Sequence, residues 1–532
     1  MSRTFSLRVP ALLFILSTAI AGASAQSTPR LRQTTAPFVG TVLDIEVEGA
    51  VPNSPIELYF SREAGSTPTP FGVLELRSDQ VRRLASGVTD GAGSWTFGLP
   101  IPLAPAYAEM GAHFQALVDD PSAPAGRIYS EAVHARFLGP RVYASYRGRV
   151  APYRIGMHIL SAVTDQPVAR VDYGLTDVWL AYRHDGKPVF DAVYSRGAVM
   201  STDKELVIFD PYFGGILSRI PFAAPCSRVL QTDGPGRTAF VLELAQGATP
   251  ARVHAIDLET RTETGSLDLP NAVEAIWCGN KAGSEAFIAE HESDGRTAVR
   301  WVGLDPLVDR GSVRVGKAGE NFVGPAGPDP WHSWYHTPIA FAAGQVFVST
   351  GATSPTYPYV SGSLTRCRPT PSGIGTRMSN NYLDILIPAP QADRLLAGAA
   401  SYFVAGLWEM PLSSLGHPVP VPAPPPIGGL YVHELEVDQN VAWVVGNWEW
   451  DHPENLYRLD LDTNVWSPPL GAGFRPVDIE VLRDAWNHEL WITQRLQGIA
   501  PPGIRILDEL HGTERHIVLS PVPEMLHAVP LP

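Results

Sequence analysis

The chain has too few cysteines, too little basic charge and too short an apolar run for several large protein classes. Its 532 residues contain three cysteines, Cys226, Cys278 and Cys367, an odd number that cannot all pair within one chain. Beyond the N-terminal segment, no stretch approaches the roughly 18 apolar residues of a membrane-spanning helix. A formal net charge of −14 argues against nucleic acid and anionic membrane surfaces as partners. We therefore expect no membrane span, and cysteines that pack in the core or form one optional disulfide.

Signatures of common enzyme classes are also missing. There is no Gly-x-Ser-x-Gly elbow, no phosphate-binding Gly-Lys-Ser/Thr loop and no Cys-x-x-Cys pair. His433-Glu434 and His488-Glu489 each lack the second histidine of a zinc-protease helix. The sequence names no reaction and does not favour an enzyme.

The N-terminal residues have the pattern of a signal peptide. Arg3 and Arg8 form a basic region, residues 11–22 are apolar, and Ala23-Ser24-Ala25 is a small-residue cleavage site. We predict a signal peptide over residues 1–25, a flexible leader over 26–37, and export to the periplasm or the cell exterior.

Residues 38–139 alternate between polar and apolar positions in short runs. Five predicted strands are Val42–Glu48, Ile56–Phe60, Trp95–Leu99, Phe114–Val118 and Ile128–Ala135. The turn signal Asp90-Gly91-Ala92-Gly93 precedes one of them. About seven strands in roughly 100 residues are typical of an immunoglobulin-like β-sandwich. The stretch Thr89–Phe97, with Phe114–Asp119, resembles Ig-like modules of bacterial secreted proteins.

Residues 140–532 repeat one short phrase, in which two residues, usually apolar, lead into an aspartate and a turn. The copies end at Asp210, Asp257, Asp305, Asp460 and Asp508. They are 47, 48, 155 and 48 residues apart, so the long gap should hold two degenerate copies. Ser161 takes the position of the aspartate in the first repeat. A period of this length, carried by strands and tight turns, predicts a β-propeller.

Each repeat should begin with an innermost strand. The predicted starts are Thr176–Leu180, Ser227–Leu230, Val273–Trp277, Pro338–Phe341, Leu383–Leu386, Val432–Leu435, Val477–Val481 and Pro523–Leu526. The last has no room for a sheet after it, so Glu524–Val529 should complete the sheet that begins at Arg141 and close the ring. This count gives an all-β chain with eight blades, or seven if the region between Pro338 and Pro426 is misinterpreted. The turn motifs of the repeats, including Asp185-Gly186-Lys187, resemble those of YVTN and TolB-like bacterial propellers, which are relatives of WD repeats. This resemblance implies an exported binding or scaffold role.

The second residue of each innermost strand should lie at one mouth of the central channel. These residues are Asp177, Arg228, Glu274, Ile339, Asp384, His433, Asp478 and Glu524. Five of the eight are acids, which could raise one another's pKa or recruit a cation such as Ca²⁺. Alternatively, the acids accept backbone N–H bonds from neighbouring repeats. No cofactor is otherwise predicted.

Two long loops should share that face with the strand starts. The connection Gly316–Thr337 contains Trp331, Trp334 and Tyr335, and the loop Gly446–Asn455 contains Trp448 and Trp450. Aromatic rings beside carboxylates suit a polar ligand with an apolar face, such as a carbohydrate. Packing of the rings against the propeller is the alternative.

We therefore predict an exported binding or interaction protein that holds a protein or carbohydrate ligand at this face. The first alternative is a hydrolase or lyase acting on a glycan there, with Asp478, Glu274, His433 and His527 as candidate catalytic residues. The second alternative is a structural component of the cell envelope. The Pro-rich stretch Pro418–Pro426 falls where an outer strand and its exit loop belong.

Overall fold

The structure is a computed structural model that describes most of the chain beyond the first 27 residues. It describes residues 28–35, 37–147, 153–176, 189–190, 196–202, 204–211, 214–231, 238–279, 284–316, 320–322, 338–352, 361–368, 375–379, 383, 385–401, 404–414, 416–424, 430–447, 455–470, 475–484, 486–495, 502–521 and 523–529. Two compact units are formed. Unit 1 comprises residues 28–33, 44–98 and 111–135, and unit 2 comprises 34–43, 99–110 and the chain from 136 onward.

The first ten strands form two antiparallel sheets and a ribbon. They are β1 (Arg30–Gln33), β2 (Val42–Glu48), β3 (Pro55–Ser61), β4 (Ala64–Thr69), β5 (Gly72–Leu76), β6 (Arg82–Val88), β7 (Trp95–Pro100), β8 (Gly111–Asp119), β9 (Arg127–Tyr129) and β10 (Val133–Arg136). One sheet has the order β1-β2-β7 and the other β10-β8-β3-β6 with β9 on β8, while β4 and β5 pair only with each other. Apolar residues alternate inward along β2 and β3, where Leu43, Ile45 and Leu58 are fully buried.

The predicted strands of this region are present, with one difference. The predicted strand Ile128–Ala135 is two strands, β9 and β10. Ser130 lies between them, and its hydroxyl oxygen accepts the Ala116 N–H at 3.0 Å in place of a backbone carbonyl. The predicted turn at Asp90 is confirmed, because its Oδ1 accepts the N–H groups of Ala92 and Ser94, both at 2.8 Å.

In unit 2, consecutive strands form antiparallel sheets, which we number I to VIII in chain order. Sheet I contains β11 (Arg141–Arg147), β12 (Tyr153–Ser161) and β13 (Gln166–Thr176), and sheet II contains β14 (Val189–Phe190), β15 (Gly197–Thr202), β16 (Glu205–Phe209) and β17 (Ile216–Pro221). Sheet III contains β18 (Cys226–Gln231), β19 (Thr238–Glu243), β20 (Arg252–Asp257) and β21 (Thr262–Asp268), and sheet IV contains β22 (Ala272–Gly279), β23 (Glu285–His291), β24 (Thr297–Leu304) and β25 (Leu307–Arg314). Each sheet is a simple up-and-down meander.

The same order continues to the C-terminus. Sheet V contains β26 (Asn321–Phe322), β27 (Ile339–Ala342), β28 (Gln345–Ala352), β29 (Ser361–Cys367) and β30 (Thr376–Ser379), and sheet VI contains β31 (Ile385–Ala389), β32 (Arg394–Ser401), β33 (Val404–Pro411) and β34 (Val419–Pro420). Sheet VII contains β35 (Tyr431–Asp438), β36 (Val441–Asn447), β37 (Asn455–Asp460) and β38 (Val465–Trp466), and sheet VIII contains β39 (Arg475–Arg483), β40 (His488–Arg495), β41 (Gly503–Asp508) and β42 (Thr513–Ile517). The last strand, β43 (Pro523–Val529), pairs with β11 and gives sheet I its fourth strand.

The first strands of neighbouring sheets lie against each other. Strand β18 packs on β22, β22 on β27, β27 on β31, β31 on β35, β35 on β39, and β39 on β43. Antiparallel four-stranded sheets arranged with their first strands innermost form a β-propeller. The predicted pairing of Glu524–Val529 with the segment after Arg141 is confirmed by the register Arg141↔Val529 to Ser145↔Met525.

Apolar side chains between adjacent sheets form the core. Ile208 of sheet II packs with Val229 and Val241 of sheet III, for example. Sheet VIII packs in the same way on sheet I, through Trp491 and Val142. The three cysteines are buried thiols that form no disulfide, and burial raises the pKa of Cys367 to about 12. Their predicted packing role is confirmed.

Asp257, Asp460 and Asp508 end third strands and shape the turn that follows, whereas at Asp305 only two residues separate β24 from β25. Asp257 Oδ1 accepts the Thr260 N–H at 2.6 Å, and Asp460 Oδ1 accepts the Thr463 N–H at 2.9 Å. The fifth residue of five such turns has a positive φ: Asp165 (54°), Gly214 (71°), Arg261 (60°), Asn464 (56°) and Gly512 (63°). The turn after Ser161 shares this geometry, so its place as the counterpart of the aspartates is confirmed. The two predicted degenerate copies correspond to the ends of β29 and β33.

Two further sequence predictions can be compared with the structure, one in sheet II and one in sheet VI. Thr176, predicted to open an innermost strand, is instead the last residue of β13, while the rest of that predicted start, residues 177–180, lies outside the described residues. In the Pro-rich stretch, Val419 and Pro420 form the outer edge strand β34, as predicted. Proline is tolerated there because an edge strand need not donate to a neighbour. The Pro422 carbonyl accepts the Trp466 indole N–H at 2.6 Å, which ties this stretch to sheet VII.

Candidate functional site at the starts of the innermost strands

Five innermost strands are interrupted near their starts by irregular pairing. In β18, β22, β35, β39 and β43 the register to the neighbouring strand shifts within the first residues. A β-bulge of this kind leaves a residue without a ladder partner and re-aims the local backbone, and bulges are common next to functional sites. The shifts fall at the residues that the sequence analysis selected: Arg228, Glu274, His433, Asp478 and Glu524. We call these five residues the strand-start set.

Three members of the set lie inside the interruption. Arg228 lies between the pairs Cys226↔Glu243 and Val229↔Val241. Glu274 lies between Val273↔Glu290 and Trp277↔Ile288. Glu524 is the extra residue between Pro523↔Tyr146 and Met525↔Ser145. For these three residues the structure describes the backbone only, and that backbone places them at equivalent positions of three sheets.

His433 is the extra residue in the bulge of β35 and is buried, with 7% of its surface exposed. Its Nε2 lies 3.0 Å from Asn447 Oδ1 at the end of β36. An amide oxygen is only an acceptor, so Nε2 carries a proton and donates it to Asn447. This bond fixes the imidazole against the strand that leads into the Trp448 loop.

Asp478 directly follows the extra residue Val477 of β39 and is almost fully buried, at 2% exposure. Its Oδ2 accepts the backbone N–H of Leu526, on β43 of sheet I, at 2.6 Å. Its own N–H donates to Thr493 Oγ1 at 3.1 Å. Asp478 therefore joins sheet VIII to sheet I, which is the alternative that the sequence analysis gave for the acids. This carboxylate positions the strand starts and is not displayed to solvent.

Seven of the predicted site residues lie outside the described residues. They are Asp177, Asp384, Trp331, Trp334, Tyr335, Trp448 and Trp450. Their predicted places at the face remain predictions. The described chain stops at Asn447, which pairs with Tyr431 at the start of β35, and resumes at Asn455, which pairs with Gly446 of β36.

Sequence reasoning missed the polar groups that surround the strand-start set. Glu480, two residues after Asp478, lies 3.7 Å from His527 Nδ1 of β43 through its Oε1. His527 had been selected only as a candidate catalytic residue, without this partner. The alternation of Asp478 and Glu480 along β39 was a usable signal, because residues two apart share one face of a strand. Thr493 and Asn447 could not be predicted in this way, because they bond to Asp478 and His433 only through the register between paired strands.

The described residues contain no cluster of three or more His, Cys, Asp or Glu side chains that could hold a metal ion. Within the same ranges, no helix has the length and hydropathy needed to cross a membrane.

Comparison with known proteins gives structural likenesses only. The chain matches no protein-family model and no curated protein. Among solved structures, apo AztD from Citrobacter koseri is 11% identical over 74% of this chain and 98% of its own, with a TM-score of 0.45. The C-terminal WD40 domain of Sif2 (9% identity, 66% and 90% coverage, TM-score 0.41) and BamB from Moraxella catarrhalis (11%, 66% and 90%, 0.38) are similar to a lesser extent. With TM-scores this low, the fold assignment rests on the strand order described above.

Proposed function

We propose that this chain is an exported binding protein that holds a ligand at the end of the propeller where the innermost strands begin. The proposal includes a signal peptide over residues 1–25, an Ig-like sandwich over 38–139, and an eight-bladed propeller over 140–532 closed by its C-terminal strand. The observation that carries it is the shared placement of Arg228, Glu274, His433 and Glu524 in bulges at equivalent positions.

The bulges favour ligand binding because they cost pairing and recur at the starts of five innermost strands. A bulge gives up a ladder hydrogen bond, and a regular strand would be adequate for a purely structural propeller. The residues whose backbone lies there include two glutamates and one arginine, so the ligand that we propose is polar and has a cationic group. The aromatic residues Trp331, Trp334, Tyr335, Trp448 and Trp450 are proposed to cover the ligand from the loops.

The glycan-directed hydrolase has less support. A catalytic pair needs two groups within reach of one substrate bond. Asp478 is buried and accepts a backbone N–H of the neighbouring sheet, and His433 is fixed by Asn447. Two of the four candidate residues therefore have supporting roles, so we assign no reaction to this face.

Calorimetric titration of the full-length protein with a Lys-rich decapeptide and with a chitosan hexamer tests the proposal. We expect one of the two cationic probes to bind, and both Glu274→Gln and Glu524→Gln to weaken that binding by about tenfold each, or roughly 1.4 kcal/mol. The matched control is Glu514→Gln, an acid on the outer strand β42 with 49% of its side chain exposed, which should leave binding unchanged. Equal loss in all three variants would show that net charge alone drives binding and would reject the site.

A further inference from the structure

A cluster of aromatic and charged side chains lies on one sheet of unit 1 and has no part in the function proposed above. We call it the Tyr59 patch: Glu57, Tyr59, Phe71, Arg83, Arg127 and Tyr129. Glu57 and Tyr59 alternate along β3 with Ile56 and Leu58, which are buried at 1% and 0% exposure. The patch is therefore on the opposite face from Ile56 and Leu58, beside the ribbon, whose strand β5 is bonded to Gln115 on this face.

Three half-buried rings contribute to this face. Phe71 is in the turn between β4 and β5, and its carbonyl accepts the Tyr129 N–H at 3.2 Å. The rings of Phe71 and Tyr129 meet edge to face, with centroids 6.4 Å apart and planes at 69°. Arg127 places its guanidinium 5.9 Å from the Phe71 ring centre. Tyr59 lies on β3, which is separated from β9 by β8. The register Glu57↔Leu117↔Tyr129 places Glu57 and Tyr129 on the same face of the sheet.

The polar groups of the patch are held in fixed positions around Glu57. Its Oε2 accepts the Tyr59 hydroxyl at 2.7 Å and Arg127 Nη2 at 3.0 Å, and its Oε1 accepts Arg83 Nη1 at 3.1 Å. The bond from Tyr59 is the main cause that holds the pKa of Glu57 below its usual value. Burial, then the bond to Glu57, raises the pKa of Tyr59 to about 12, so the phenol stays neutral.

The charges of this surface balance. Arg127 also pairs with Asp119, with Nε 2.7 Å from Oδ1, so two guanidinium groups face two carboxylates. A strongly charged ligand would find no net attraction here. The Arg83 side chain is 61% exposed and that of Arg127 30%, and each guanidinium has five donors, more than its partners use.

We propose that the Tyr59 patch binds a neutral oligosaccharide chain. A sugar ring has one apolar face and a rim of hydroxyl groups, which match an aromatic surface beside fixed donors and acceptors. The donors and acceptors are already ordered by the Glu57 network, so little conformational freedom is lost on binding. The patch would attach unit 1 to a glycan independently of the strand-start set.

Titration of the full-length protein with cellohexaose, laminarihexaose and chitohexaose tests this inference. We expect at least one of them to bind, Tyr129→Ala to weaken it at least tenfold, and Tyr129→Phe, which keeps the ring, to stay within about twofold of wild type. Arg127→Lys should weaken binding at least threefold, because lysine lacks the planar fork.

Controls separate this site from general effects and from the proposed function. Phe97→Ala removes a half-exposed ring stacked on Trp95 at 5.9 Å in the other sheet, and should not change binding. Glu274→Gln should not change it either, since it alters only the strand-start set. The inference is overturned if no neutral oligosaccharide binds, if Tyr129→Ala binds as wild type while its circular dichroism is unchanged, or if polygalacturonate binds more tightly than every neutral chain.

Discussion

The two ends of the propeller sheets are built by different means. At one end, which we call the turn end, the third strands finish in aspartate turns whose side chains bond to residues three positions later. At the other end, which we call the start end, the innermost strands begin with bulges. The position of each bulge depends on the register between the innermost strand and its neighbour. The ends are opposite because successive strands of a meander reverse direction.

The two ends therefore differ in what determines their structure: nearby residues in the sequence at the turn end, and pairing between distant strands at the start end. The side-chain hydrogen bonds that shape each aspartate turn lie within five consecutive residues, so the sequence of the turn itself can specify them. The start end depends on pairing across the sheet and between sheets, as in the bond from Leu526 to Asp478. Register shifts occur toward both ends, for example between Ala255 and Ile256 of β20 as well as at the start of β18. We infer that the two ends differ in the range of the contacts that shape them, and not in how regular the pairing is.

Removing the Asp478 carboxylate should have the largest effect on stability. In Asp478→Ala the Leu526 N–H would be buried without its acceptor between sheets VIII and I, which should lower the free energy of unfolding by about 2–3 kcal/mol. Urea denaturation followed by tryptophan fluorescence measures this. Asp478→Asn keeps an acceptor oxygen and should lose clearly less. Equal losses in both variants would mean that the negative charge, and not the hydrogen bond, joins the two sheets.

The two ends should also differ in their response to pH. His158, on β12, is 5% exposed and its Nε2 lies 3.0 Å from the Pro521 carbonyl, just before β43. Burial holds the pKa of His158 below its usual 6.5. As pH falls through 6.5, this histidine is therefore protonated in the unfolded chain before it is protonated in the folded protein. His158 then lowers the free energy of unfolding by at most about 1.4 kcal/mol for each pH unit.

The measurement is the free energy of unfolding from pH 7.5 to 5.5 in wild type and in His158→Gln, which keeps a donor but does not titrate. The variant should show a shallower decline. At the turn end, hydrogen bonds from the Thr463 side chain and backbone hold the pKa of Asp460 below its usual 3.8. The contribution of Asp460 to the free energy of unfolding is fully present above pH 3.8. It is lost as the pH falls below 3.8 and through the lower pKa of the folded state. Parallel curves for both proteins would show that His158 does not cause the slope.

A single aspartate turn should contribute less than the Asp478 contact. Asp257→Ala removes the acceptor of the Thr260 N–H, and we expect a loss of about 1 kcal/mol, as for other local side-chain caps. Asp257→Asn retains Oδ1 and should be nearly neutral. Thermal unfolding of the three proteins distinguishes the outcomes. A loss as large as that of Asp478→Ala would mean that the turns also hold neighbouring sheets together.

The sequence could predict the turn end because its signals are short-range. The spacing of Asp210, Asp257, Asp460 and Asp508 marked the third strands, and their turns then located the innermost strands of most sheets. It could not predict the bulges, since the one at Glu524 exists only through the register of β43 on β11, nearly the whole propeller away in sequence. Likewise, Arg515 bonds to Asp165 across 350 residues and also to Glu489. In sheet II, Thr176 ends β13 and does not open an innermost strand.

The smallest effect on stability should come from the bulge residues themselves. Glu274 and Arg228 make no ladder pair in β22 and β18, so Glu274→Gln and Arg228→Gln should each change the free energy of unfolding by less than about 0.5 kcal/mol. Urea denaturation measures this beside the ligand titrations, in which the same Glu274→Gln variant should lose binding. If the start end is a binding site, substitutions of its residues should weaken binding while leaving stability nearly unchanged. If either substitution destabilised the fold by as much as Asp257→Ala, the start end would be a structural device like the turn end, and its bulges would give no support to a binding site.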